Sequence, residues 1–219
     1  MNAMSIKLVV FDWDGTLVDS EAHIVSCLTA ASLALGLPLH EPKTYSRIIG
    51  LSMERAIDAL YPQLDNEGHK EFRKAYRECF YSEGYFQATL FEGAEELLRA
   101  LKLRGLRLAV ATGKGLPGLE KALDQTGLRS YFDCYRCADT TASKPDPLML
   151  FEIMSQCGVS ADEVVMVGDT HYDLEMAANA GVRKVAVSFG VHELDVLQKF
   201  HPEAVIHHLS ELESLIASW

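Results

Sequence analysis

From Glu92 onward the chain alternates helical and extended patterns with a regularity that few folds accommodate. Leu97, Leu98 and Leu101 mark a helix ending at Gly105, and Leu106 to Ala111 reads as a short apolar strand. A helix over about Leu116 to Thr126 precedes a strand around Cys134 to Ala138, and Pro147 to Cys157 is again helical. Val164 to Val167 is extended, Asp173 to Ala180 is a helix closed by Gly181, and Val185 to Val187 and Ala204 to Ile206 supply later strands. Such alternation predicts an α/β protein whose parallel sheet carries helices on both faces.

The apolar run Ile6 to Phe11 reads as a further strand of that sheet, so the helical segment after it must be an insertion. Between residues 19 and 88 the period is helical throughout. Asp19 and Ser20 are candidate caps for a helix carrying Ile24, Leu28, Ala31 and Leu35 and stopped by Gly36 and Pro38. A second helix starts at Ser52, carries Ile57 and Leu60, and ends before Pro62; a third has the stripe Phe72, Tyr76, Cys79 and Phe80, closed by Gly84.

Ligands of open parallel sheets bind beyond the carboxyl ends of the strands, and the residues there form a coherent set. The first strand ends in Asp12-Trp13-Asp14-Gly15-Thr16. Extended backbone alternates faces, so the two acids leave on one side of the sheet and share one small space, where like charges about 4 Å apart repel by roughly 4 kcal/mol at an effective dielectric near 20. A divalent cation relieves this, and oxygen-only ligation suits Mg²⁺. After the second strand come Thr112, Gly113 and Lys114; after the fourth, Gly168, Asp169, Thr170 and Asp173; the loop at Ser143-Lys144-Pro145 joins them.

Each piece alone has a plainer reading. Asp-x-Asp-Gly-Thr and Thr-Gly are turn sequences, Lys144 would be solvated, and Asp169-x-x-x-Asp173 would be a helix cap with a surface acid. Together they suit phosphoryl transfer. A carboxylate can attack phosphorus, while the Thr112 hydroxyl, the Gly113 amide and the Lys144 charge hold phosphoryl oxygens. Asp169 adds a third carboxylate for the metal, and Asp173, one turn later, could hold Asp169 or a metal-bound water. Three acids, one lysine and one Mg²⁺ come near charge balance. Lys114 lacks a partner and reads as surface charge; His23 and His171 read as structural.

A net charge of −11 argues against nucleic acid or an anionic membrane surface as partner, and no apolar run reaches the roughly 20 residues that span a bilayer. A small phosphorylated metabolite in the cytoplasm is the expected partner; oligomeric state is not legible. Five cysteines, an odd number, suit a reducing compartment, and Cys134 and Cys137 read as strand filler. Met1-Asn2-Ala3, ahead of a second start-like Met4, stands outside the fold argument.

The four segments resemble the motifs of the haloacid dehalogenase-like hydrolases: Asp12-Trp13-Asp14-Gly15-Thr16 the first, Thr112-Gly113 the second, Lys144-Pro145 the third, Gly168 to Asp173 the fourth. The resemblance implies a Rossmann-like core (4–18 and 89–219) and an inserted helical cap (19–88). It also implies roles: Asp12 as nucleophile and Mg²⁺ ligand, Asp14 as general acid/base with its backbone carbonyl on the metal, Asp169 as metal ligand, Thr112 and Lys144 as phosphate binders. The likeness within the family is nearest to phosphoglycolate phosphatase, and the acid at Asp14 points to phosphate chemistry. Gly50 to Glu54 resembles the cap loop of β-phosphoglucomutase-type mutases, yet Met53 falls where those carry a phosphate-binding Arg, and Gly-Asp-Thr replaces their Glu-Asp-Ser. Hydrolysis is therefore expected, with a phosphomutase or a noncatalytic phosphometabolite-binding protein as the alternatives.

Overall fold

Runs of Val, Leu, Ile and Ala supply the strands, and their two-residue period decides which core each side chain enters. The computed structural model describes residues 6–82 and 88–219. In chain order its elements are β1 (Leu8–Phe11), β2 (Val18–Asp19), α1 (Glu21–Ala34), α2 (Pro42–Ser46), α3 (Met53–Leu60), α4 (Asn66–Phe80), β3 (Thr89–Leu90), α5 (Ala94–Leu103), β4 (Arg107–Thr112), α6 (Leu116–Thr126), β5 (Cys134–Cys137), α7 (Leu148–Cys157), β6 (Val164–Gly168), α8 (His171–Ala180), β7 (Arg183–Val187), α9 (Leu194–Gln198), β8 (Ala204–Ile206) and α10 (Glu211–Ala217).

Six strands form one parallel sheet in the order β5-β4-β1-β6-β7-β8. The chain builds outward from β1 through β4 to β5, then returns to β6 on the other side of β1. That reversal places a crevice beyond the ends of β4, β1 and β6. Val9, Phe11, Leu108, Val110, Val165 and Val167 face α5, α6 and α10; Leu8, Val10, Ala109, Ala111, Val164 and Met166 face α7 and α8. The sheet is thus covered on both faces, as the alternation predicts. Cys137 and Cys134 fall into these two opposite cores, so they form no common site.

Helices α1 to α4 stand together over a separate apolar cluster containing Leu28, Tyr45, Ile57, Tyr61 and Phe72. They enter and leave through the two-stranded antiparallel pair β2–β3, Val18 opposite Leu90, which periodicity does not reveal because two residues per strand show no period. Helices α2, α9 and α10, of 5, 5 and 7 residues, are equally short for that purpose. The expected stop of the third helix at Gly84 lies outside the described residues, as do Met1 to Met4.

Within the helical block, Ser32 Oγ lies 2.7 Å from Tyr61 Oη and 3.1 Å from Tyr45 Oη, and donates to the Leu28 carbonyl at 2.8 Å. All three side chains are buried. Ser32→Ala removes a hydrogen-bond partner from two buried phenols; these keep each other at 3.0 Å, and Tyr61 keeps the Pro38 carbonyl at 2.9 Å, so the change costs about 1–1.5 kcal/mol. We expect the unfolding midpoint to fall by about 3–6 °C; calorimetry checks this, and an unchanged midpoint would deny the three hydroxyls a stabilising role.

Candidate active site

Strand β1 stops at Phe11 because the next residues turn. Asp12 N still bonds the Val167 carbonyl at 2.9 Å, but Leu17 N and Val18 N both return to the Trp13 carbonyl at 3.0 Å, and Gly15 takes φ +84°. The period of two ends there, and the two acids, though they line one cavity, do not share partners. Each carboxylate has its own surroundings.

Asp12 is buried beside Lys144, whose Nζ lies 2.7 Å from its Oδ1 and 2.5 Å from Asp173 Oδ1. Lys144 has no solvent exposure. Burial opposes its charge, but Asp12 and Asp173 outweigh this and raise its pKa, so it remains an ammonium. For Asp12 burial wins: it raises the pKa well above its ordinary value despite Lys144, with Asp173 and Asp169 adding to the rise. Asp169 is pushed up to about 7 by burial and by Asp173. It accepts from Thr16 Oγ1 at 3.0 Å and from the Val191 amide at 2.9 Å. Asp173 does not hold Asp169. Its oxygens accept from Thr170 N at 3.1 Å, from Thr170 Oγ1 at 2.7 Å and from Lys144.

Oxygens of Asp12, Asp169 and Asp173 lie within 4.8 Å of one another, all buried. Asp12 Oδ2 has no hydrogen-bond partner. The surroundings leave no room for added bulk: a Cβ on Gly15 would come within 2.2 Å of Asp169 Oδ2, and one on Gly190 within 2.2 Å of Asp169 Cβ. An orphaned buried carboxylate oxygen in an all-oxygen cluster is a fit for a hard divalent cation.

Asp14 faces elsewhere. It accepts from Ser20 Oγ at 2.7 Å and pairs with Lys114 Nζ at 3.1 Å, and this ammonium also lies 4.7 Å above the Phe80 ring of α4. Lys114 is therefore not surface charge, since its side chain is only 11% exposed. Its place two residues after Thr112, at the same strand end, is the signal that the sequence offers. Ser20, expected as a cap, occupies that position with its hydroxyl turned to Asp14 instead.

Asp12, Asp14, Thr112, Gly113 and Lys114 line one cavity of about 350 Å³, whose far wall is Met53, Arg73, Tyr76, Arg77 and Phe80 of the helical block. Lys144 lies behind Asp12 and does not line it. The block sits close: a Cβ on Gly113 would meet the Gly50 and Leu51 carbonyls at 2.5 Å, Ser52 N donates to Ser143 Oγ at 3.0 Å, and Arg55 Nη1 to the Lys144 carbonyl at 3.2 Å. His23 lies against Phe80 and His171 against His192, both outside the carboxylate cluster.

Buried carboxylates around a buried lysine, at the switch point of a doubly wound sheet, mark an enzyme. The profile of the haloacid dehalogenase-like hydrolases matches residues 9–187, and the chain belongs to that family. It is 36% identical over 209 residues to "Probable phosphatase IndB" of Dickeya dadantii strain 3937, covering 94% of this chain and 91% of that protein. It is 30% identical over 214 residues to a phosphoglycolate phosphatase of Mesorhizobium japonicum, covering 95% and 94%. The crystal structure of a hydrolase from Pseudomonas syringae superposes with a TM-score of 0.88 at 23% identity, over 97% and 98% of the chains, and shares the fold. Among the described residues no helix is long and apolar enough to cross a membrane.

The buried charges lead to two expected outcomes. Lys144→Met leaves Asp12 and Asp173 without their counter-ion, and breaking a buried pair from one side costs about 3–5 kcal/mol; denaturant titration should show a loss of that size, and a neutral result would deny the pairing. The raised carboxyls of Asp12 and Asp169 bind protons more tightly when folded, so the stability they contribute is full below about pH 4 and is lost as pH rises through their folded pKa values, about 7 for Asp169. A cation displaces those protons, so its stabilisation grows with pH. At a hundredfold excess over Kd it amounts to about 2.7 kcal/mol. That raises the midpoint by roughly 5–10 °C at pH 8, with much less gain at pH 5; the opposite trend would refute the cluster.

Proposed function

We propose that this enzyme is a cytoplasmic, Mg²⁺-dependent phosphatase that hydrolyses a small phosphate monoester, phosphoglycolate-like or a sugar phosphate, through an aspartyl phosphate on Asp12. The observation that carries this reading is Asp12 itself. It is a buried carboxylate with one oxygen on Lys144 and the other unsatisfied, on the wall of a cavity that also holds Asp14 and Thr112.

An Asp12 oxygen attacks phosphorus, and the bond from phosphorus to the substrate oxygen breaks. Asp14 supplies the proton that the leaving alcohol takes. Asp14, now a carboxylate, accepts a proton from the water that attacks the phosphorus of the aspartyl phosphate; the bond to Asp12 breaks and inorganic phosphate leaves. Ser20 and Lys114 hold Asp14 between them on the cavity wall. Thr112 and the Gly113 amide bind phosphoryl oxygens, with Lys144 adding charge from behind Asp12. Asp12, Asp169 and the Asp14 backbone carbonyl would hold Mg²⁺, which would supply the positive charge that lets an anionic nucleophile meet an anionic substrate. Residues 19–88 act as a cap that shields the reaction from bulk water.

Met53 lines the cavity at the position where the mutase resemblance calls for an arginine, which supports hydrolysis over phosphoryl return to a sugar. Phosphate release from a panel of phosphorylated metabolites, with and without Mg²⁺, tests the whole reading. Asp12→Asn should abolish turnover and Asp14→Asn reduce kcat about 10²–10⁴-fold. Full activity in Asp12→Asn would remove the nucleophile assignment, and an isomerised sugar phosphate among the products would favour the mutase.

A further inference from the structure

We infer that Arg77 is a specificity residue: its guanidinium binds an anionic group, a carboxylate or a second phosphate, on the alcohol portion of the substrate, given the phosphatase chemistry above. Arg73, Tyr76, Arg77 and Phe80 recur on α4 at helical spacing, so the helix turns one face to the cavity, and all four line it. Three lysine and arginine side chains in or behind the cavity wall are already neutralised. Arg73 pairs with Glu54 at 2.9 Å, Lys114 with Asp14 at 3.1 Å, and Lys144 with Asp12 and Asp173. Among the described residues Arg77 has no acid within ion-pair distance, in a chain that carries 31 acids against 20 lysines and arginines.

The rest of the wall contributed by the helical block is largely apolar, from Ile24, Leu28, Ile48, Ile49, Met53 and Ala56. Against such a surface one planar fork of N–H donors is the feature able to distinguish a charged alcohol from a neutral one. The cavity of about 350 Å³ exceeds what a phosphoryl group fills, since a liquid water takes about 30 Å³. Asp12 and Arg77 lie on the same cavity, so phosphorus at the acid and an anion at the arginine can be carried by one molecule.

The test compares matched phosphate esters that differ in the second anion. Phosphoglycolate is set against ethyl phosphate, 3-phosphoglycerate against glycerol 3-phosphate, and propane-1,3-diol bisphosphate against its monophosphate. The readout is the ratio of kcat/KM within each pair, so that a general loss of activity cancels; circular dichroism checks that the variants fold. A ratio of tenfold or more in the wild type, falling at least fivefold in Arg77→Gln through KM and partly kept in Arg77→Lys, supports the assignment. The pair that shows it separates carboxylate from phosphate. Ratios near one in every wild-type pair, or ratios unchanged in Arg77→Gln, overturn it while leaving the phosphatase reading intact. No phosphate release from any of these esters or from 4-nitrophenyl phosphate overturns both.

Discussion

The ammonium of Lys144, with no exposure to solvent, is the charge on which the site depends. A buried cation persists only with anions around it, and here Asp12, just after β1, and Asp173, in the first turn of α8 after β6, hold it. The converse also holds: without Lys144, three buried carboxyls would crowd a space 4.8 Å across. The glycines nearby serve this closeness. Gly168 lies so near that a Cβ there would meet Asp173 Cβ at 2.4 Å, and Gly15 and Gly190 leave equally little room around Asp169. Packing this tight fixes carboxylate positions in advance, which is what electrostatic catalysis requires of its groups.

Asp14 shows how a single turn divides labour between neighbouring acids. Two residues after Asp12 it would share the same cluster if the strand continued, but the turn at Trp13 to Val18 carries it to Ser20 and Lys114. Each acid thereby acquires its own lysine. In the proposed mechanism Asp12, deep against Lys144, forms the bond to phosphorus, whereas Asp14, on the cavity wall beside Lys114, serves the leaving group and water.

Much of this is legible in the sequence, for physical reasons. Strand ends are where open parallel sheets bind ligands, so Asp12, Thr112, Asp169 and the Lys144 loop can be gathered without coordinates. The sheet and its two-faced burial come from periodicity. Hidden from it is whatever depends on distance across the chain or on turns too short to have a period. Lys114 reads as solvated because its partner Asp14 is 100 positions away, and Asp173 reads as a support of Asp169 or of a metal-bound water because its ion-pair partner Lys144 is 29 positions back. The β2–β3 pair and α2 are hidden by length alone.

The helical block is joined to the chemistry at the same loops that carry it. The Gly50 and Leu51 carbonyls lie against Gly113, Ser52 against Ser143 and Arg55 against the Lys144 carbonyl, while Tyr172 Oη donates to the Arg47 carbonyl at 3.2 Å. Any displacement of the block therefore breaks contacts to the second, third and fourth motif loops together. In the proposed mechanism the core residues meet the phosphoryl group, which is common to every phosphate ester. Discrimination must then come from the wall that α1, α3 and α4 present. Because that wall rests on the loops to which the proposed mechanism assigns phosphate binding, a leaving group that fits it would also hold those loops in place and so couple recognition of the alcohol to catalysis at Asp12.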